Sequence, residues 1–153
     1  MAASAQIEIR RAKLDDLEAI VQLLARDSLS NPADQARASQ RQMEAFAAIQ
    51  AHPDNELIVA TLDGEVVGTL QLTFIPGLSF DGAWRAQVEG VRVREDLRNR
   101  GFGARLMEWV IARSRERGCH LIQLTSNQAR VDARRFYERL GFKPTHVGMK
   151  LHL

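Results

Sequence analysis

Apolar positions along this chain change period several times, and each change marks an element. Residues 6–12, QIEIRRA, alternate as a strand does. Leu17, Ile20, Val21 and Leu24 then recur at helical spacing, with Asp15 as the expected N-cap. The triplet SNP at 30–32 breaks the chain. A second helix is expected over 35–50, with Met43, Phe46 and Ala47 on one face, ending before Pro53. From Glu56 to Phe74, ELIVATLDGEVVGTLQLTF reads as two strands joined at Asp63-Gly64, a strong short-range hairpin signal. Residues 75–83, IPGLSFDGA, read as a loop, and WRAQVEGVRV as a long strand followed by a helix to Gly118. HLIQLTS gives another strand, DARRFYERL a short helix closed by Gly141, and HVGMKLHL a last strand.

The order β-α-α-β-β-β-α-β-α-β predicts an α/β (α+β) fold, a mixed sheet flanked by helices. The strands at 84–94 and 120–126 are joined by a helix, so they are expected as parallel neighbours with a right-handed crossover. Within the long strand, Val91 and Val93 share a face but Val88 is out of phase with them. One residue inserted near Glu89-Gly90 restores the phase, and an interior glycine is a common seat for a bulge. A strand buried on both faces is the other explanation.

Composition narrows the picture without redirecting it. At 153 residues, 45% hydrophobic and 26% charged, the chain reads as one domain over 1–153, and disordered and fibrous classes fall away. MAASAQIEIR lacks an apolar core of signal-peptide length, and no run approaches a membrane span, so no membrane association is expected. A single cysteine, Cys119, fits a reducing cytoplasm. Net charge is only +2, too mild to argue for nucleic acid, and no aromatics interleave with the arginines. The four histidines show no metal-ligand spacing, and no metal is expected.

The arginines are nevertheless unevenly placed. Arg113, Arg115 and Arg117 read as a solvated helix end, where cations suit the dipole. Arg98 and Arg100 instead stand before the helix, beside Gly101 and Gly103. Orphan N–H groups at a helix start favour an anion, glycines allow its close approach, and arginines add forked donors. GxxxxGK[ST] is absent, and GFGARL puts Leu106 where a dinucleotide fingerprint needs its third glycine. What remains is Arg98-x-x-Gly101-x-Gly103 between a strand and a helix.

That string after a V-x-V strand resembles the acetyl-coenzyme A loop of the GNAT superfamily of N-acetyltransferases. LTSNQARVDARRFYERLGF (124–142) is similar to the superfamily's second motif. The match is specific from about Val88 to Phe142; across 1–83 only the order of elements agrees. The resemblance implies a GNAT-like domain in which the parallel central pair splays. The pyrophosphate of acetyl-CoA would lie on the N–H groups of Arg98, Asn99, Arg100, Gly101, Phe102, Gly103 and Ala104. The backbone of Val91, Arg92 and Val93 would hold the pantetheine arm as an added strand, with the Val93 N–H polarising the thioester carbonyl. Asn127, Arg130 and Phe136 would contact the coenzyme from the second motif. A homodimer stays open.

Acetyl transfer to an amine calls for a base and an acid on opposite sides of the carbonyl. Tyr137, the only tyrosine, lies where the family's general acid commonly lies; a core aromatic is the other reading. Glu89, a lone carboxylate in a valine-rich strand, is the base candidate, through a water, with burial expected to raise its pKa. A structural carboxylate paired to arginine is its alternative. Cys119 reads as a small packing residue rather than a ping-pong nucleophile, and His146 as a candidate substrate contact. Residues 28–55 and 75–86 would cover the acceptor, with Phe46, Phe74, Phe80 and Trp84 as walls and Arg85 as a clamp for a carboxylate or phosphate. The short chain leans toward a small-molecule amine. A protein lysine or N-terminus competes, as does a non-catalytic acyl-CoA sensor.

Overall fold

The structure is a computed structural model that describes residues 6–25 and 37–153. The break expected at 30–32, the first residues of the second helix and part of the acceptor cover lie outside the described residues. The chain divides into two compact units, Met1–Gln123 and Leu124–Leu153.

The first unit is built on a mixed sheet in the order β1-β2-β3-β4-β5, with β1 Ile7–Arg11, β2 Asn55–Leu62, β3 Glu65–Ile75, β4 Trp84–Val93 and β5 Cys119–Leu124. The first three pairings are antiparallel, and β5 lies parallel beside β4, as the helical crossover requires. Asp63 (φ 50°) and Gly64 (φ 87°) turn β2 into β3; two left-handed residues are what a two-residue hairpin demands. Helices α1 (Leu17–Ala25) and α2 (Gln40–Ala51) cover one face, burying Leu17, Ile20, Val21 and Phe46 against Ala12 and Val59. Helix α3 (Phe102–Glu116) covers the other, with Leu106, Met107 and Val110 buried over Ile58, Leu70, Leu72, Ala86 and Val88. Gly68 lets that helix approach: a Cβ there would lie 3.0 Å from Leu106 Cδ1 and 3.2 Å from Arg92 O.

Several expectations change. Asp15 does not cap α1. Asp16 closes the preceding 3-10 turn instead, accepting the Lys13 N–H at 2.7 Å and both Arg10 Nη groups at 2.7 and 3.0 Å. Helix α2 starts from a Ser39–Gln42 capping box and buries only Phe46, while Met43 and Ala47 face outward. Arg113 and Arg117 are not merely solvated. Arg113 clasps Glu56, only 1% exposed, with Nη2 at 2.6 Å, and also pairs with Glu116 at 2.7 Å. Arg117 pairs with Asp54 and stacks over the Phe74 ring at 4.4 Å. The loop at 75–83 contains a left-handed turn, with Phe80 at φ 55° and Asp81 at φ 59°.

The second unit carries helix α4 (Val131–Arg139), ended by Gly141 in the left-handed conformation. No strand forms over 146–153; Val147, Met149, Leu151 and Leu153 alternate but are exposed and enter no ladder. Among the described residues, no helix is long and apolar enough to cross a membrane.

Candidate active site

The phosphate-loop candidate leaves β4 under tight control. The Arg94 N–H donates to Val67 O at 2.8 Å, and the Arg94 guanidinium grips Asp96 at 2.7 and 3.1 Å and Glu65 at 3.3 Å. A 3-10 turn over Glu95–Leu97 follows, pinned by buried Leu97. Asn99 (φ 60°) and Gly101 (φ 85°) then both turn left-handed around Arg100, reversing the chain into α3. A Cβ at Gly101 would touch nothing, so its backbone conformation, not space, calls for glycine. The Arg105 N–H bonds to Gly101 O at 3.1 Å as the helix begins. Phe102, Gly103 and Ala104 precede that bond, so their N–H groups have no intrahelical acceptor. Exposed Arg98 and Arg100 add positive charge to the dipole's positive end, an arrangement that suits a pyrophosphate.

Two members of the expected run play narrower parts. The Arg98 N–H is committed to Glu95 O at 3.2 Å, closing the 3-10 turn, so its side chain is what it can offer a phosphate. The Phe102 ring is buried with Leu106 and Met107, leaving the backbone N–H for binding.

The expected bulge is present in β4. Thr69 pairs with Arg92 and Gln71 with Glu89, so Gly90 and Val91 together oppose Leu70 alone. Gly90 takes φ 61°, the left-handed position of a G1 bulge. Because the Arg94 N–H points to β3, alternation turns the N–H and C=O of Val93 away from it. The Val93 carbonyl accepts from Arg98 Nε at 3.3 Å, and the Val91 carbonyl from Arg92 Nη1 at 2.8 Å. Such turned-out backbone is what an arm pairing as an extra strand would use.

Glu89 is not the buried carboxylate the valine-rich strand suggested; it is exposed, opposite Gln71. It shares a face with Gln87 and Arg85, while Ala86 and Val88 point into the core. That face carries polar groups which the sequence reading passed over. Asn55 Oδ1 accepts from Thr73 Oγ1 at 2.7 Å and from Gln71 Nε2 at 3.4 Å, and Gln123 Nε2 donates to Gln87 Oε1 at 2.7 Å. The signal was there in the strict alternation of Thr69, Gln71 and Thr73 with Leu70, Leu72 and Phe74. Of the expected walls, Phe46 and Phe74 belong to the core, Trp84 is half-buried and Phe80 is exposed. Burial pushes the Cys119 thiol up, against the lowering effect of Arg117, which suits packing rather than a nucleophile.

In the second unit, Asn127 Oδ1 accepts the Ala129 N–H at 2.9 Å, an Asx turn ahead of α4. Arg130 stands at that helix's N-cap, its N–H bonded to Asn127 O at 2.9 Å. Half-buried Phe136 and Tyr137 meet edge to face. His146 Nδ1 lies 2.7 Å from Thr145 Oγ1.

Comparison with known proteins agrees with this geometry. The model of the acetyltransferase (GNAT) family matches residues 17–142. An aminoalkylphosphonate N-acetyltransferase of Salmonella typhimurium is 30% identical over 139 residues, spanning 91% of this chain and 86% of that protein. A crystal structure from Bacillus halodurans C-125, described as a transcriptional regulator, superposes with TM-score 0.88 at 46% identity, covering 97% of this chain and all of the other. An aminoglycoside N-acetyltransferase solved with CoA shares the fold, with TM-score 0.80 at 17% identity over 100% of this chain and 98% of its own.

Proposed function

The chain belongs to the GNAT acetyltransferase family, and we propose that it moves the acetyl group of acetyl-CoA to the primary amine of a small molecule, by direct attack in a ternary complex. The observation that carries the reading is the start of α3. Its orphan N–H groups, the left-handed Gly101 and the exposed Arg98 and Arg100 together suit the coenzyme's pyrophosphate. The Salmonella relative, named for an aminoalkylphosphonate acceptor, supports a small amine over a protein substrate.

Acetyl-CoA supplies an acyl group already activated as a thioester; the chain supplies placement and protons. Gly101, Gly103, Ala104, Asn99 and Arg100 would hold the pyrophosphate, with the Arg98 guanidinium alongside. Val91, Arg92 and Val93 would receive the pantetheine arm, and the Val93 N–H would donate to the carbonyl oxygen as it gains negative charge. Asn127, Arg130 and Phe136 would add contacts from the second motif. An alkylamine of pKa about 10 arrives protonated at neutral pH and cannot attack. Glu89, exposed on the strand at the bulge, would take that proton, directly or through a water. Tyr137 would return one to the departing thiolate.

A coenzyme A-release assay across amino acids, polyamines, aminophosphonates, aminosugars and lysine peptides tests the reading. A free small amine should outperform every peptide. Glu89→Gln should lower turnover by about 10²- to 10⁴-fold at neutral pH, a loss that shrinks as pH rises and the amine deprotonates itself. An unchanged rate at pH 7 would return Glu89 to a structural role. A second reading, an acyl-CoA sensor without turnover, draws on the Bacillus halodurans neighbour described as a regulator. Binding of acetyl-CoA with no release across the whole panel would favour it.

A further inference from the structure

Arg85 is a half-buried cation on the polar face of β4. Arg10, Arg94, Arg113, Arg117 and Arg134 each meet a carboxylate. Among the described residues none pairs with Arg85. Its guanidinium rests on a glycine: a Cβ at Gly77 would lie 3.2 Å from Arg85 Nη1. The loop that carries Gly77 is held at a cost. Phe80 (φ 55°), Asp81 (φ 59°) and Gly82 (φ 76°) are three consecutive left-handed residues, a region that strains a bulky aromatic. The turn is tied to β5, where the Phe80 ring meets His120 at 4.8 Å between centroids and the His120 ring bonds to Trp84 O through Nδ1 at 2.9 Å. Strain of this kind persists only where the surroundings fix it.

The guanidinium also stands on the right face. Arg85, Gln87 and Glu89 alternate onto one side of β4 before the bulge disturbs the phase. The neighbouring strands add Thr73, Gln71, Asn55 and Gln123 to the same surface, joined by side-chain hydrogen bonds. In the middle of a sheet, such a polar floor is costly against an apolar cover and suits a polar ligand.

We propose that Arg85 is the specificity residue for the acceptor, binding an acidic group (phosphonate, phosphate or carboxylate) carried several bonds away from the reacting amine. This rests on the reading of the protein as an acetyltransferase of small amines with Glu89 at the amine end. Glu89 lies four positions along from Arg85, about 13 Å between Cα atoms on an extended strand. The guanidinium lies toward Gly77, beyond the Ile75–Arg85 end of the ladder and away from Glu89, so an acceptor with acid and amine several bonds apart fits better than an α-amino acid. A planar guanidinium matches two oxygens of either acid in a forked contact.

The test compares matched acceptors at saturating acetyl-CoA: glucosamine 6-phosphate with glucosamine, 3-aminopropylphosphonate and 4-aminobutyrate with butylamine, and glycine as the short amino acid. The phosphate, phosphonate and carboxylate arms tell the acid classes apart. Acid-bearing amines should lead their neutral partners and glycine in kcat/KM by about tenfold or more, the worth of a charge-assisted hydrogen bond. Arg85→Gln should raise KM for them by roughly 10- to 100-fold, with Arg85→Lys in between, and act far less on neutral amines and on KM for acetyl-CoA. Gly77→Ala should move KM in the same direction by crowding the guanidinium. Neutral amines leading, or Arg85→Gln acting equally on both classes, overturns the proposal alone. No turnover with any amine removes the small-amine reading and this proposal with it.

Discussion

Tyr137 sits edge-on between two rings, 5.1 Å from Phe136 and 5.8 Å from Phe142 between centroids, so packing fixes its ring whatever its hydroxyl does. Tyr137→Phe keeps that packing and removes one oxygen. If the hydroxyl only satisfies a buried neighbour, the substitution costs about 1 kcal/mol of stability and leaves saturated turnover intact. If it protonates the thiolate, stability hardly moves and kcat falls about tenfold or more; the loss is bounded, because a thiol of pKa about 8.5 already leaves fairly well. We expect the second outcome, read by single-turnover kinetics beside urea unfolding. Asp16 gives a prediction in pH. Hydrogen bonds from Arg10, then the Lys13 N–H, hold its carboxyl below the ordinary carboxylate range despite burial, which raises it. A depressed folded-state value contributes stability that is present above the unfolded pKa of about 4 and lost as pH falls through the folded one. Asp16→Asn should therefore lower the urea midpoint at pH 7 and flatten its decline between pH 5 and 3.

Strand β2 carries the buried carboxylate that the pattern of valines predicts in β4. The rule that a lone acid in an apolar strand needs a partner does not bear on Glu89, which is exposed. It holds for Glu56, where the partner Arg113 lies 57 residues away at the end of α3. The acid's phase was visible in NELIVATL, but the pairing is a tertiary fact that local pattern does not contain. Arg113→Ala should cost about 3–5 kcal/mol in urea unfolding, because Glu56 is left charged and buried. Arg115→Ala, on the exposed side of the same helix, should cost little, and Glu56→Leu with Arg113→Leu less than Arg113→Ala alone. Elsewhere the local signals sufficed. Asp63-Gly64 fixed a hairpin because its geometry needs only those two residues, and the phase of Val88 against Val91 and Val93 located the bulge at Gly90. The last segment failed for the opposite reason. Val147, Met149, Leu151 and Leu153 alternate well, but a strand exists only where another edge pairs with it, and here none does.

Across the whole molecule, binding the coenzyme should register as stability. The start of α3 is anchored by the Phe102 ring and by Leu97, so its backbone N–H groups are in place before any ligand arrives. Little of the binding energy then goes into ordering the loop. Acetyl-CoA at about 100 times its dissociation constant should add about 2.7 kcal/mol. For a chain of this length that is a rise of about 5–10 °C in Tm. The shift should weaken with salt, since exposed Arg98 and Arg100 act through a screened field. Gly103→Val separates the loop from the rest of the fold. Valine is a better helix residue than glycine, so the ligand-free Tm should hold. Its side chain would stand where the phosphate must approach the N–H groups, and the acetyl-CoA shift should vanish. A wild-type chain whose Tm rises with NADH or ATP but not with acetyl-CoA would refute the loop assignment, and a Gly103→Val chain that keeps the full shift would move the pyrophosphate elsewhere.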